Sequence, residues 1–245
     1  MIYYIYDGSF EGLLTAIYDA FYSDHHPDQI VPDNRTQQGL FSQTTRITTD
    51  EEKAGKVYRA IDEKISNYTL KSVYYAYLSE IEQIEMVIYR YLRMGFKYGD
   101  KVNKRLSNDI VRKMDRVRRK VSFESHRLKG LLRFRSLKNG IFYAPVEPDY
   151  NVISLMAPHF AARLADQEWI IHDLKREQAI FYNLEEWVLT DFDQEQVDYA
   201  SEEEDYQELW KEFFKSIAIK NKKNPKLQRQ YMPERYWKHL IEKDG

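Results

Sequence analysis

The sequence predicts an α+β fold with a helical middle region, a small antiparallel sheet between about 130 and 190, and C-terminal helices. Three observations lead to this prediction. Apolar residues recur at helical spacing between 50 and 121. Alternating apolar segments flank Lys138-Asn139-Gly140, which is a strong hairpin turn signal. An acidic passage then runs into Leu209 and Trp210, as at the start of an amphipathic helix.

Residues 1–121 are predicted to be mainly helical. Residues 2–6 have the composition of a short strand, and the polar, Thr-rich stretch 30–49 leaves room for one or two more. Apolar residues at helical spacing predict a series of helices, over 10–22, about 50–66, about 70–94 and about 101–121. Asp50 and the acids after it favour a helix start, and Gly95 favours a helix end.

Residues 122–190 are predicted to hold the sheet. Residues 141–144 form the return strand of the first hairpin, a second hairpin turns around 175–178, and 187–189 add an edge strand. A helix is predicted to begin at Asp149 or Asn151 and to reach Leu164.

Residues 191–245 read as a helical tail that changes from acidic to basic. The whole chain, 1–245, is predicted to be one domain without a firm internal boundary.

The composition excludes several kinds of chemistry. The chain has 245 residues, a net charge of −2 and no cysteine. Disulfides, thiolate zinc sites, cysteine nucleophiles and cysteine-held iron–sulfur clusters are therefore excluded, so the chain cannot itself be a radical-SAM enzyme. Neither an apolar run near 18 residues nor a basic leader with a long apolar stretch is present, so we expect a cytoplasmic protein. No motif indicates a metal or another cofactor.

Basic residues are concentrated between 101 and 138, although the whole chain is slightly acidic. At 100° per residue, four arginines of the helix predicted over 101–121 fall on one side, namely Arg105, Arg112, Arg116 and Arg119. Like charges spaced by four residues repel each other, so such a stripe is mildly unfavourable without a partner. It is typical of a nucleic-acid-binding surface, the alternative being a solvated helix face.

A second basic group follows directly. Arg127, Lys129, Arg133 and Arg135 alternate with other residues, and in an extended segment they would share one face. Cations on one face of a sheet can hold a phosphate chain, and Arg163 is a further candidate for the same role.

Four residues are candidates for acid–base chemistry. His126 and His159 could carry a proton, and Glu147 and Asp149 could serve as acid or base. The alternatives are a structural histidine, and a turn whose helix is capped by Asp149. Asp173 and Arg176 could form a local ion pair in the second hairpin.

Several separated motifs resemble one bacterial family, called "probable DNA metabolism protein", whose domain has no known function. The similar segments are Tyr6-Asp7-Gly8-Ser9-Phe10-Glu11-Gly12-Leu13-Leu14, His126-Arg127-x-Lys129-x-x-x-Arg133-Phe134, Val146-Glu147-Pro148-Asp149, Ala157-Pro158-His159-Phe160-x-x-Arg163, Trp169-Ile170-Ile171-His172-Asp173, Leu209-Trp210 and Met232-Pro233-Glu234-Arg235-Tyr236-Trp237. The resemblance covers nearly the whole chain, with the motifs in the same order.

The resemblance implies a link to DNA repair or modification. Similar domains are fused to uracil-DNA-glycosylase-like domains, or accompany a radical-SAM protein with a helix-hairpin-helix element. This chain has no glycosylase portion, so base excision by that route is not expected. We therefore expect a DNA-associated accessory protein, with a radical-SAM protein as its partner and no membrane association. The alternatives are an enzyme that acts on DNA or a nucleotide, and a protein-interaction scaffold.

Overall fold

A computed structural model describes residues 1–35, 43–193, 197–217 and 229–243, with the backbone alone for 213–217. Packing divides the chain into two compact units, Met1–Ser122 and Phe123–Gly245. The border falls inside a helix, Asp109–Leu131. The prediction of one domain without an internal boundary stays a prediction.

The first unit contains a three-stranded parallel sheet and a layer of helices. The strands β1 (Ile2–Tyr6), β2 (Gln29–Pro32) and β3 (Gln43–Arg46) lie in the order β2-β1-β3. Both neighbours run parallel to β1. The helices are α1 (Phe10–Tyr22), α2 (Glu51–Lys64), α3 (Asn67–Leu78) and α4 (Ile84–Tyr98), followed by a 3-10 turn at Gly99–Lys104. The strand at 2–6 and the helix at 10–22 are confirmed.

Three of these helices begin at a residue whose side chain caps the helix. The side chains of Ser9, Asp50 and Ser66 accept hydrogen bonds from backbone N–H groups in the first turns of α1, α2 and α3. The prediction of one continuous helix over 70–94 is wrong, because the helix is interrupted between α3 and α4. Glu80 and Gln83 have φ angles of 51° and 62°, a left-handed conformation that no α-helix contains.

The helix predicted over 101–121 begins later than expected. Residues up to Lys104 form the 3-10 turn, and α5 runs from Asp109 to Leu131. The side chain of Asn108 accepts hydrogen bonds from the N–H groups of Ile110 and Val111, which fixes this start.

The second unit contains a five-stranded sheet. Its strands are β4 (Arg135–Ser136), β5 (Phe142–Val146), β6 (Trp169–Asp173), β7 (Gln178–Tyr182) and β8 (Trp187–Asp191), in that order. Its helices are α6 (Ile153–Arg163) and α7 (Glu203–Ile217), with 3-10 turns at Glu234–His239 and Ile241–Lys243. Both predicted hairpins, the edge strand and the α+β class are confirmed.

One pairing in this sheet differs from the prediction of an antiparallel sheet. Strands β5 and β6 are parallel, with Ala144 opposite Ile171, because α6 crosses between them. The core of the unit lies on these strands, where Tyr143 and Trp169 are buried. The acidic passage does begin α7, whereas the basic residues of the tail at 220–226 lie outside the described residues. In the described part of the chain, no helix is long and apolar enough to cross a membrane.

Candidate functional site

The part of α5 in the first unit has one apolar face and one basic face. Val111, Met114, Val117 and Val121 are buried, at spacings of three and four residues. The opposite side carries five exposed cations, Arg112, Lys113, Arg116, Arg119 and Lys120. We call these five residues the α5 basic face. A helix with this division packs by its apolar stripe and presents its charge to solvent.

Two carboxylates neutralise part of the α5 basic face. Arg112 pairs with Asp109, and the Arg119 Nε lies 2.8 Å from an oxygen of Asp115. Burial opposes ionisation of Asp115, but hydrogen bonds from Arg119 and Arg118 outweigh it and hold the pKa of this carboxyl below its usual value.

Arg116, Lys113 and Lys120 form neither an ion pair nor a side-chain hydrogen bond within the described residues. Exposed pairs of the kind made by Arg112 contribute only about 0–1 kcal/mol. The face therefore keeps a clear surplus of positive charge.

Arg105 does not belong to this face. It follows the 3-10 turn and lies outside α5, so the helical phase used to place it does not apply. Its guanidinium lies 3.9 Å from the centre of the Tyr98 ring, and the amine of Lys97 lies 5.3 Å from the same ring. These are cation–π contacts on a partly exposed tyrosine.

The second basic group is not an extended segment with one cationic face. Arg127 and Lys129 lie on α5, and only Arg135 lies on a strand, β4. Arg127 donates a hydrogen bond to the carbonyl of Gln230 at 3.3 Å. The guanidinium of Arg135 lies 5.8 Å from the centre of the Tyr199 ring. The expected alternation is therefore wrong, because the helix continues to Leu131.

Arg133 is engaged in holding the second unit together. Its guanidinium forms a two-pronged pair with Glu242, at 3.1 and 2.5 Å, and its side chain is 18% exposed. It also donates to the carbonyls of Gly130 and Leu132, at 3.2 and 3.0 Å. A guanidinium with so many acceptors has little capacity left for a phosphate.

A smaller cationic group lies on α5 and α6 of the second unit. His159 is exposed on α6, and its pKa is lowered by partial burial and by the positive charges of Lys129 and Arg163. Three predicted site residues, Lys129, His159 and Arg163, therefore lie near enough for their charges to interact. His126 is exposed on α5, and its side chain has no hydrogen bond within the described residues.

The two candidate carboxylates face the C-terminal segment. Glu147 pairs with Lys238 at 2.5 Å and lies 3.5 Å from His239, and Asp149 pairs with Arg235 at 3.0 Å. The hydrogen bond from Lys238 holds the pKa of Glu147 below its usual value. A general base acts best with a pKa near the working pH, so this shift is in the wrong direction for catalysis. The catalytic role of these residues stays a prediction.

A buried carboxylate that sequence reasoning missed lies beside them. Glu124 is 3% exposed and accepts hydrogen bonds from the N–H groups of Asp149 and Tyr150, at 2.9 and 2.8 Å, and from the hydroxyl of Tyr236. We call these contacts the Glu124 clamp. Its burial could have been predicted from helical spacing, since Val117, Val121 and Glu124 follow one another at four and three residues and so lie on the same side of α5.

The second hairpin contains a buried ion pair. Asp173 is fully buried and pairs with Arg176 at 2.8 Å, so the predicted local pair is confirmed. Burial raises the pKa of Asp173, although Arg176 and two backbone N–H groups oppose this shift. Among the described residues, no group of three or more His, Asp or Glu side chains is placed to hold a metal ion.

Comparison with known proteins identifies the family but not an activity. No curated protein matches the sequence. Residues 82–242, about two thirds of the chain, match a family described as a domain of unknown function, DUF4130. The match begins near the start of α4 and extends through α5 to the C-terminal 3-10 turns. The chain therefore belongs to the DUF4130 family.

Proposed function

We propose that this protein binds the phosphate backbone of DNA through the α5 basic face. It would act in the cytoplasm as an accessory protein in DNA repair or modification, and hold DNA for a radical-SAM partner. The observation that supports this best is the surplus of exposed cations on one side of α5. The family resemblance described above supports the partner, and the absence of cysteine means that such a partner would have to supply any radical-SAM chemistry.

The spacing of the arginines suits a polyanion. Arg112 and Arg119 are seven positions apart, which is about 10 Å along a helix at 1.5 Å per residue. Successive phosphates of one DNA strand advance by about 3.4 Å along the duplex axis, so the face spans several of them. A phosphate chain would also relieve the repulsion between cations spaced by three and four residues.

Fluorescence anisotropy with labelled single- and double-stranded DNA, across a salt series, tests this proposal. We expect binding that weakens steeply with salt, because each neutralised phosphate releases counterions. Replacing Arg112, Arg116 and Arg119 together by glutamate should abolish the binding while the circular dichroism spectrum stays unchanged. All three side chains are exposed, so the fold should tolerate the change.

A matched control reverses three other exposed cations, Lys71, Arg90 and Lys175. It produces the same change of net charge, and it should leave most of the affinity intact. Equal losses in both triple variants would mean that only total charge matters, and unchanged affinity in the α5 variant would refute the proposal. The α5 basic face would then be a protein-docking or a structural surface, and capture of a partner protein would test the scaffold hypothesis.

A further inference from the structure

A cavity of about 640 Å³ lies in the first unit, apart from the α5 basic face. Its walls come from the last turns of α1, from α2 between Lys56 and Lys64, and from the end of α4. The volume is within the range of small-molecule sites, about 300–1,000 Å³. Nothing in the proposed function uses this cavity.

Four aromatic rings line one side of the cavity, those of Tyr18, Phe21, Tyr22 and Phe96. The rings of Tyr18 and Tyr22 lie 4.6 Å apart at 35°, and Phe21 meets Phe96 edge-on at 5.4 Å. Tyr22 is 77% exposed, which is unusual for so large a ring. An exposed ring beside a cavity is a surface on which a flat ligand can stack.

The rim that α2 contributes is mainly cationic. Lys56, Arg59 and Lys64 line the cavity, and Glu63 is the acid among its lining residues. Lys56 is partly neutralised by Glu52 at 2.7 Å. Arg59 and Lys64 are exposed and have no ion pair within the described residues. Aromatic faces beside unpaired cations match a ligand with a flat ring and a negative group.

We propose that this cavity binds a nucleotide unit, with the base stacked on the exposed ring of Tyr22 and the phosphate held by Arg59 and Lys64. Glu63 would accept a hydrogen bond from an amino group of the base. The unit could be a free nucleotide or one nucleotide of a single strand, since both present the same base and phosphate. The cavity is separate from the α5 basic face, so this inference does not depend on the proposed function.

The competing explanation is that Lys64 only stabilises the end of α2 and that Arg59 is only a solvated surface charge. Lys64 lies in the last turn of α2, where a positive charge offsets the partial negative charge of the terminal carbonyls. That explanation predicts no dependence of any ligand's affinity on Tyr22. Binding measurements therefore separate the two.

The test is calorimetric titration of the purified protein with deoxyadenosine monophosphate, deoxyadenosine and inorganic phosphate. We expect the monophosphate to bind tightest, because it alone presents both groups. The Tyr22→Ala variant should bind it about tenfold more weakly, the usual scale of one lost stacking contact. Tyr58→Ala removes an exposed tyrosine from the same unit but outside the cavity lining, and it should bind like the natural protein.

A second variant, Arg59→Gln with Lys64→Gln, tests the phosphate contact. It should weaken binding of the monophosphate and leave that of deoxyadenosine unchanged. No binding of the monophosphate by the natural protein, or equal affinity in Tyr22→Ala, would overturn the proposal.

A short single-stranded oligodeoxyadenylate, titrated into the variant that lacks the three α5 arginines, identifies the source of the nucleotide. If this oligonucleotide binds more tightly than the monophosphate and Tyr22→Ala weakens both, the unit belongs to a strand. If only the monophosphate binds, the ligand is a free nucleotide. Failure of the α5 basic face to bind DNA would leave these results unaffected.

Discussion

Replacing Glu124 should destabilise the second unit more than any substitution at its surface. The two carboxylate oxygens have different partners. One accepts from the N–H of Asp149 and from the hydroxyl of Tyr236, and the other accepts from the N–H of Tyr150. Since Glu124 is 3% exposed, these hydrogen bonds are shielded from water in the folded protein.

The size of the effect follows from these contacts. Each hydrogen bond to a charged group contributes about 1.5–3 kcal/mol, and each buried donor left unpaired costs about 1–3 kcal/mol. Some of the donors will reach water after local relaxation, so we expect Glu124→Ala to lower the free energy of unfolding by about 4 kcal/mol. Glu124→Gln keeps one acceptor oxygen and should cost about 2 kcal/mol, because its amide N–H₂ would face a second donor.

Tryptophan fluorescence during urea unfolding measures this effect selectively. All four tryptophans, at 169, 187, 210 and 237, lie in the second unit. Glu168→Ala is the matched control, because Glu168 is exposed and should change the stability by less than about 0.5 kcal/mol. A loss below about 1 kcal/mol for Glu124→Ala, with an unchanged denaturant slope, would show that the clamp does not hold the unit together.

Two further predictions concern Gly12 and Glu242. A Cβ at Gly12 would lie 2.2 Å from a carboxylate oxygen of Asp7, so Gly12→Ala should destabilise the first unit by about 1–3 kcal/mol. A Cβ at Gly55 has room, so Gly55→Ala is the control and should stabilise the unit by up to about 1 kcal/mol. Urea unfolding followed by circular dichroism measures both changes. Burial opposes ionisation of Glu242, but the hydrogen bond from Arg133 prevails and lowers the pKa of this carboxyl. The ion pair therefore stabilises the fold above the unfolded-state pKa of about 4.3, and this stabilisation is lost as the pH falls through the lower folded-state pKa. The stability difference between the natural protein and Arg133→Met should therefore shrink between about pH 5 and pH 3, and a constant difference would contradict this account.

The sequence predicted the elements whose contacts are local. The turn at Lys138-Asn139-Gly140 brings together strands that adjoin it, so the hairpin could be recognised from a few residues. The parallel pairing of β5 and β6 could not, because Phe142 pairs with Trp169 across a whole helix. The pairing in the first sheet could not be predicted either, because Tyr3 lies opposite both Gln29 and Thr44, which are distant in the sequence.

Periodicity also failed to show where helices begin and end. Apolar residues continue at helical spacing from α3 into α4, although Glu80 and Gln83 interrupt the helix. The pattern likewise included residues 101–108, which lie before α5. Apolar spacing reports which side of the chain is buried, and the backbone can change direction between two segments that are buried on compatible sides.

The motif residues show that charged groups close together in the sequence can have distant partners in the structure. In the sequence, the basic and acidic groups between 124 and 149 look like a catalytic cluster. In the structure, several of these groups have partners about a hundred positions away, as with Arg133 and Glu242 or Glu147 and Lys238. Such distant pairing cannot be inferred from local sequence, and the catalytic role of Glu147 and Asp149 stays a prediction.

The α5 basic face differs from those motifs because its ion pairs are confined to α5 itself. Its acids are near neighbours on the same helix, and Arg116 has no partner in the described part of the chain. Charge reversal there breaks only exposed pairs within one helix, so it should lower the unfolding free energy by no more than about 1–2 kcal/mol while DNA affinity falls. Replacing Glu124 by alanine should lower the unfolding free energy and leave DNA affinity unchanged, because its hydrogen-bond partners are backbone groups and a tyrosine hydroxyl of the second unit. If all these charges served only to stabilise the fold, no variant would lose DNA affinity while keeping its stability. Measuring unfolding free energy and DNA affinity for both variants therefore decides whether the α5 basic face is a binding surface.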